Sequence, residues 1–121
     1  MYKVEKIKSK KYTLVNGDCL NYLSQIPDNS IDLILTDPPY NIGQYSTGNI
    51  DLPGRSALNN DLGEWDLKEI DPFAMLDDFK RILKPDGNIF VFTSYNLIGK
   101  WHAAFDSEFD TFQFFVWHKT N

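Results

Sequence analysis

Residues 31–36 read Ile-Asp-Leu-Ile-Leu-Thr, a short and nearly unbroken apolar run that ends abruptly at Asp37-Pro38-Pro39-Tyr40. A run of this length, bounded by turn residues, is the pattern of a strand covered on both faces, as in a parallel sheet. Two successive prolines cannot extend it. Each fixes φ and removes a backbone donor, so ladder pairing must stop there. The junction predicts a buried strand whose carboxyl end opens straight into a rigid turn.

The rest of the chain falls into place around that strand. Tyr12-Thr13-Leu14-Val15 reads as a short strand stopped by Asn16-Gly17-Asp18. Leu20, Leu23 and Ile26 recur at helical spacing, with Asp18 as cap and Pro27-Asp28-Asn29 as stop. Phe73, Leu76, Phe79, Ile82 and Leu83 mark a second helix face, which Pro85-Asp86-Gly87 closes. Ile89 to Thr93 is a second buried strand, Leu97, Ile98, Trp101 and Phe105 mark a third helix, and Phe112 to Trp117 is a third strong strand. Residues 1–11 are polar, an edge or arm. Residues 41–65 are rich in Gly, Ser, Asn and Asp without a sustained period, and a loop that long is functional or mobile. The order β-α-β-loop-α-β-α-β predicts an α/β fold with a mostly parallel, doubly wound sheet. Such sheets bind ligands at the carboxyl ends of their strands, where Asp37-Pro38-Pro39-Tyr40 stands.

Composition bounds the function. The 121 residues make one domain at most, and 42% hydrophobic with 15% aromatic content can fill a core. The single cysteine, Cys19, excludes an internal disulfide. Charges in Met1 to Lys6 do not suit a signal peptide, and no segment approaches the roughly 18 apolar residues of a bilayer span, so a soluble, cytoplasmic protein with no membrane partner is expected. The net charge of −5 argues against tight nucleic-acid binding by this piece alone. Lys3, Lys6, Lys8, Lys10 and Lys11 cluster, but a solvated N-terminal segment explains them equally well.

The four residues of the turn have a definite chemistry. With no N–H on either proline, the carbonyls of Asp37 and Pro38 are available as acceptors, and the Asp37 carboxylate adds more. Converging acceptors suit an amine, in particular an exocyclic amine of a nucleobase, whose lone pair is delocalised and poorly nucleophilic. Hydrogen bonds accepted from its protons favour a pyramidal nitrogen that can attack a methyl group. Tyr40 offers a flat face for an extruded base, and base–aromatic stacking contributes ~1–3 kcal/mol. The bland alternative is a rigid turn, since Asp-Pro and Pro-Pro are ordinary turn signals. Position at the end of a buried strand, before a long loop, favours the functional reading.

These residues also carry a resemblance. Asn16-Gly17-Asp18-Cys19, Leu23, Ile26-Pro27, Ser30-Ile31-Asp32-Leu33-Ile34 and Thr36-Asp37-Pro38-Pro39-Tyr40-Asn41 resemble the opening of the DNA adenine-N6/cytosine-N4 methyltransferases of permuted (β-type) motif order. Leu83-Lys84-Pro85-Asp86-Gly87 and Trp117-His118-Lys119-Thr120-Asn121 resemble that family's following segments, so the likeness runs from about Tyr12 onward. It implies a Rossmann-like fold with a partial sheet, S-adenosylmethionine as cofactor and double-stranded DNA as substrate. It assigns the target amine to Asp37 and the Pro38 carbonyl, with Pro39 completing the turn and Tyr40 stacking on the base. Asp18, Cys19 and Asp37 fall on the cofactor's side. The bland roles of Asp18 and Cys19 are a helix cap and a small buried residue. An Asp-Pro-Pro-Tyr form leans towards adenine N6. In the loop, which the resemblance places near DNA over about residues 42–66, Tyr45 and Arg55 are weaker nucleic-acid candidates, beside Trp65.

The departure is the family's glycine-rich Phe-x-Gly-x-Gly loop, which none of the seven glycines forms. Residues 1–121 are therefore expected to be the N-terminal part of one catalytic domain, without the main cofactor grip or the recognition region. Three readings stay open: an adenine methyltransferase completed by a C-terminal half or second chain; an enzyme of the same fold acting on protein glutamine or RNA guanine, against which Asp37 speaks; and a non-enzymatic remnant or subunit of a split enzyme. A half-sheet of this kind is expected to self-associate. His102 and His118 have no partner at metal-ligand spacing, so no metal site is expected. Asp77, Asp78 and Glu64 read as solvated charges, and Trp101 and Trp117 as core.

Overall fold

The computed structural model describes residues 5–41, 49–50, 53–54, 58–59 and 69–120. The chain divides into two compact units, Met1–Leu35 with Ala74–Phe90 and Thr36–Phe73 with Val91–Asn121.

In the first unit the lysine-rich start is a strand. β1 (Glu5–Lys8) pairs antiparallel with β2 (Thr13–Asn16), in register Glu5 to Asn16 and Lys8 to Thr13. Ser9 closes the turn. Its hydroxyl oxygen accepts from the N–H groups of Lys11 and Tyr12, each at 3.0 Å, and its own N–H donates to the Tyr12 carbonyl at 2.8 Å. The expected polar arm is thus a hairpin held by backbone bonds, which need no apolar pattern.

Helix α1 (Cys19–Leu23) is shorter than the Leu20, Leu23, Ile26 spacing suggests. Asp18 starts it by accepting from the Leu20 N–H at 3.0 Å. Leu23 is buried, whereas Leu20 stays exposed.

Helix α2 (Pro72–Ile82) begins with Asp71, whose carboxylate accepts from the Phe73 N–H at 3.0 Å, and with proline at its first position, where no N–H is missed. In the first unit Met75, Leu76, Phe79 and Ile82 form its buried stripe, with Leu76 fully enclosed. Arg81 closes the last turn as a clasp. Its guanidinium donates to the carbonyls of Leu23 and Ile26, both at 2.8 Å, and to Asp28 at 2.6 Å, with Asp78 at 3.6 Å on its own helix. The Leu23 carbonyl, which also accepts from the Ile26 N–H at 3.0 Å, and the Ile26 carbonyl just past the helix thus gain a cation from α2, the favourable sign at a helix carboxyl end.

β3 (Ile31–Thr36) pairs with β6 (Leu83–Val91), which follows α2 without a break. Ser30 N donates to the Ile82 carbonyl and Phe92 N to that of Thr36, both at 2.9 Å, so the flanking bonds follow one another in the same chain sense on both segments, as parallel strands require. The turn expected at Pro85-Asp86-Gly87 lies inside β6 rather than ahead of it. A proline within a strand belongs at an edge or irregularity because it cannot donate. Gly87 serves a close approach there, since a Cβ would stand 2.6 Å from the Leu83 side chain and 3.1 Å from the Asp32 carbonyl.

β3 is covered on one face, not two. Ile34 is buried, while Leu33 and Leu35 are 53% and 64% exposed. Asp32, the one charge in the run, is exposed and pairs with Lys84 at 2.6 Å, which pushes the Lys84 ammonium pKa up through a hydrogen bond and the adjacent negative charge.

In the second unit β4 (Asn49–Ile50) and β5 (Leu58–Asn59) make a small antiparallel pair within the segment expected to be a loop. Pro53-Gly54 turns between them, with Gly54 at φ 76°, the left-handed region open to glycine. Helix α3 (Ile98–Glu108) buries Leu97, Trp101 and Ala104 at its start and along one face. Phe105 joins Trp101, Phe109 and Phe112 in a chain of ring contacts at 5.7–6.0 Å, and His102 meets Phe112 edge-on at 4.9 Å. The expected third strand is absent among the described residues. Phe112 to Trp117 takes part in no strand pairing, and Trp117, expected in the core, is 79% exposed. The two antiparallel pairs further depart from a mostly parallel sheet. The elements are those of an α/β chain.

Candidate functional site

The last ladder bond of β3, Phe92 N to Thr36 O, comes one residue before Asp37. The prolines then end the strand as their chemistry requires. Pro38 is buried and anchors the turn, Asp37 is exposed, and Pro39 and Tyr40 are half-buried. The turn thus presents a carboxylate to solvent from a fixed base.

Tyr40 folds back on the same turn, and its hydroxyl donates to Asp37 Oδ1. Burial of the phenol and then this bond to the carboxylate push the Tyr40 pKa up to about 12, because both disfavour a second negative charge. The bond occupies Oδ1 and leaves Oδ2 to accept from a ligand.

The exit of the turn is held from elsewhere in the second unit. The Tyr40 carbonyl accepts from Asn96 Nδ2 at 3.0 Å, with Ser94 Oγ at 3.4 Å from the same oxygen. Ser94 Oγ also donates to Asn96 Oδ1. Asn41, next in the chain, has φ 55°, a left-handed conformation that asparagine tolerates better than most residues. Its side-chain amide donates to Glu69 Oε2 at 3.5 Å, and Lys100 of α3 pairs with Glu69 Oε1.

Asp18 and Cys19 belong to the first unit. Asp18 has the capping role that its residue type allows, through Oδ1, and its carboxylate makes no other hydrogen bond among the described residues. Cys19 is exposed rather than a small core residue, and partial desolvation, then the neighbouring Asp18 carboxylate, push its thiol pKa up. Tyr45 and Arg55, like Glu64 and Trp65, lie outside the described residues. Asp37 and Tyr40 are therefore brought together. Ser94, Asn96, Glu69 and Lys100 escaped the sequence reading. One signal could have found the first two, since Thr93-Ser94-Tyr95-Asn96 follows the carboxyl end of the second strand, where sheets of this class place ligand-facing residues.

Comparison with known proteins places the chain in a family. The family model described as DNA methylase, of the N6/N4 type, matches residues 31–121, and the chain belongs to that family. Two relatives are Type II methyltransferases. M.BamHI of Bacillus amyloliquefaciens is 34% identical over 105 residues, 83% of this chain and 22% of its own length. M2.DpnII of Streptococcus pneumoniae is 32% identical over 120 residues, 92% of this chain and 43% of its own length. The chain thus spans less than half the length of these relatives. No helix among the described residues is long and apolar enough to cross a membrane.

Proposed function

We propose that the chain carries the catalytic turn of a methyltransferase that modifies the exocyclic amine of a base extruded from double-stranded DNA, with adenine N6 as target. The observation that carries this reading is the exposed Asp37 carboxylate on a buried, double-proline base, with Tyr40 beside it. Asp37 Oδ2 and the Pro38 carbonyl accept the two amine protons and hold the nitrogen pyramidal, with its lone pair directed outwards. Tyr40 stacks on the base, and Pro39 keeps the turn rigid. The amine proton lost on transfer leaves along the hydrogen bond to Asp37.

S-adenosylmethionine supplies the electrophilic methyl group when bound. The chain's donor set suits it, since an exposed Asp18 carboxylate with one oxygen outside the cap bond can accept from amino or hydroxyl groups of a nucleoside. Asp18, Cys19 and Asp37 serve as cofactor-binding residues, Asp18 and Cys19 towards its adenosine. Tyr45 and Arg55 are candidate nucleic-acid contacts by residue type, Arg55 for a phosphate. The fold completed in this way is Rossmann-like, residues 1–121 form the N-terminal part of its catalytic domain, and the protein works in the cytoplasm.

The decisive test is titration of S-adenosylmethionine into the 121-residue chain by calorimetry, followed by transfer of labelled methyl to an adenine-containing duplex. Saturable binding and a labelled duplex that Asp37→Ala abolishes support the reading. Label in cytosine, or in RNA or protein, overturns the adenine assignment. The alternative reading, a split enzyme's subunit or a non-enzymatic remnant, is decided by the same titration. Absence of heat, with activity restored by a second chain carrying the remaining sequence, would establish the subunit form.

A further inference from the structure

The prolines fix φ at residues 38 and 39, and the peptide that leaves Tyr40 is bonded from outside the turn. That peptide enters the left-handed conformation at Asn41, φ 55°, which the chain holds with help from its surroundings. Beside the bond from Asn41 to Glu69, part of that help comes from Asn96. Its Nδ2 donates to the Tyr40 carbonyl at 3.0 Å, across 56 residues of sequence. Ser94 decides which way round the Asn96 amide sits. A serine hydroxyl has one proton, and of its two neighbouring acceptors Asn96 Oδ1 is nearer than the Tyr40 carbonyl at 3.4 Å. The proton goes to Oδ1, and Nδ2 is left facing Tyr40. Asn96 is itself secured by its neighbour Leu97, which is 2% exposed at the start of α3.

We infer that Asn96, oriented by Ser94, is a positioning residue for the reaction: it fixes the peptide after Tyr40 and so sets the Tyr40 ring against the Asp37 carboxylate. The inference deepens the methyl-transfer reading and rests on it for its kinetic consequence. It acts through Tyr40 and does not touch substrate. Loss of the bond leaves the prolines in place but loosens the Tyr40 peptide and shifts the ring it carries, and a displacement of about 1 Å at a reacting centre costs on the order of 100-fold in rate.

Asn96→Leu keeps the volume and removes the donor. In the 121-residue chain, kcat for methyl transfer to duplex DNA is expected to fall by roughly 10- to 100-fold, with the KM for S-adenosylmethionine unchanged. Ser94→Ala is expected to lower kcat less, and Ser94→Thr, which keeps the hydroxyl, to recover most of that loss. A second readout is independent of activity. In a carbon-13 titration of tyrosine Cζ, with the Tyr40 signal assigned by Tyr40→Phe, the midpoint moves from about 12 towards the ordinary 10.0 in Asn96→Leu. Circular dichroism confirms that the variants are folded. An unmoved Tyr40 midpoint in folded Asn96→Leu overturns the inference, as does an equal loss in kcat and in cofactor affinity. If the unsubstituted chain transfers no methyl group either alone or with a second chain carrying the remaining sequence, the functional reading fails. The Tyr40 titration still decides whether Asn96 holds the turn.

Discussion

Ile31–Thr36 and Phe112–Trp117 are both short apolar runs with the composition of interior strands, yet they meet different ends. The first pairs with β6, buries Ile34 and is clasped at its entrance by Arg81. The second pairs with nothing among the described residues and exposes Phe114, Phe115, Val116 and Trp117 by 64–79%. Apolarity states that a segment gains by burial, but geometry decides whether there is anything to bury it against. Even the first run obtains cover on one face only, so the difference between the two is one of degree.

The comparison can be broken most easily at the core of the unit that holds the first run. Leu76, fully buried on α2, should cost about 2–5 kcal/mol on Leu76→Ala, read by urea unfolding, and a smaller loss would mean that α2 is not the core element of its unit. Next is the clasp. Arg81→Met keeps the aliphatic stem but leaves the Leu23 and Ile26 carbonyls without their cation, a loss of about 1.5–3 kcal/mol in the same measurement. A neutral result would reduce Arg81 to a surface charge. At the exit of the strand the effect is confined to high pH. Tyr40 has its pKa raised in the folded chain, so its contribution to stability is complete below pH 10 and is lost as pH rises through about 12. Tyr40→Phe should therefore flatten the stability profile between pH 10 and 12. Smallest of all, Phe115→Ser in the exposed run should change stability by less than about 0.5 kcal/mol while reducing self-association in light scattering. A large loss there would show that the second run is buried after all.

What could be read in advance follows the same division. The stripe Met75, Leu76, Phe79, Ile82 and the junction at Asp37 are local patterns, and a 3.6-residue period or a double proline needs no knowledge of the rest of the chain. β1 was not legible as a strand, because a lysine-rich hairpin is held by main-chain bonds and by Ser9, which leave no hydrophobic signature. Arg81 reads as an ordinary cation in a last helical turn, and its clasp on Leu23, Ile26 and Asp28 exists only once distant segments meet. The site shows the same limit. Asp37-Pro38-Pro39-Tyr40 stands out as a motif, whereas Asn96 and Glu69, which hold its exit, are single polar residues with no period and no neighbours of their kind.

The ion pair between Asp32 and Lys84 has a consequence of another kind. β3 and β6 form a two-stranded pair, so each has an outer border without a partner strand among the described residues, and β3 also presents bare leucines. Such a border can recruit any extended chain, including another copy of itself, and grow into a fibre. Asp32 places a carboxylate on the same strand as those leucines, while Lys84 and Pro85 bring β6 a cation and a position that cannot donate. These three residues act as gatekeepers. They tax indiscriminate stacking and leave the pair open to a polypeptide whose own charges and register complement theirs.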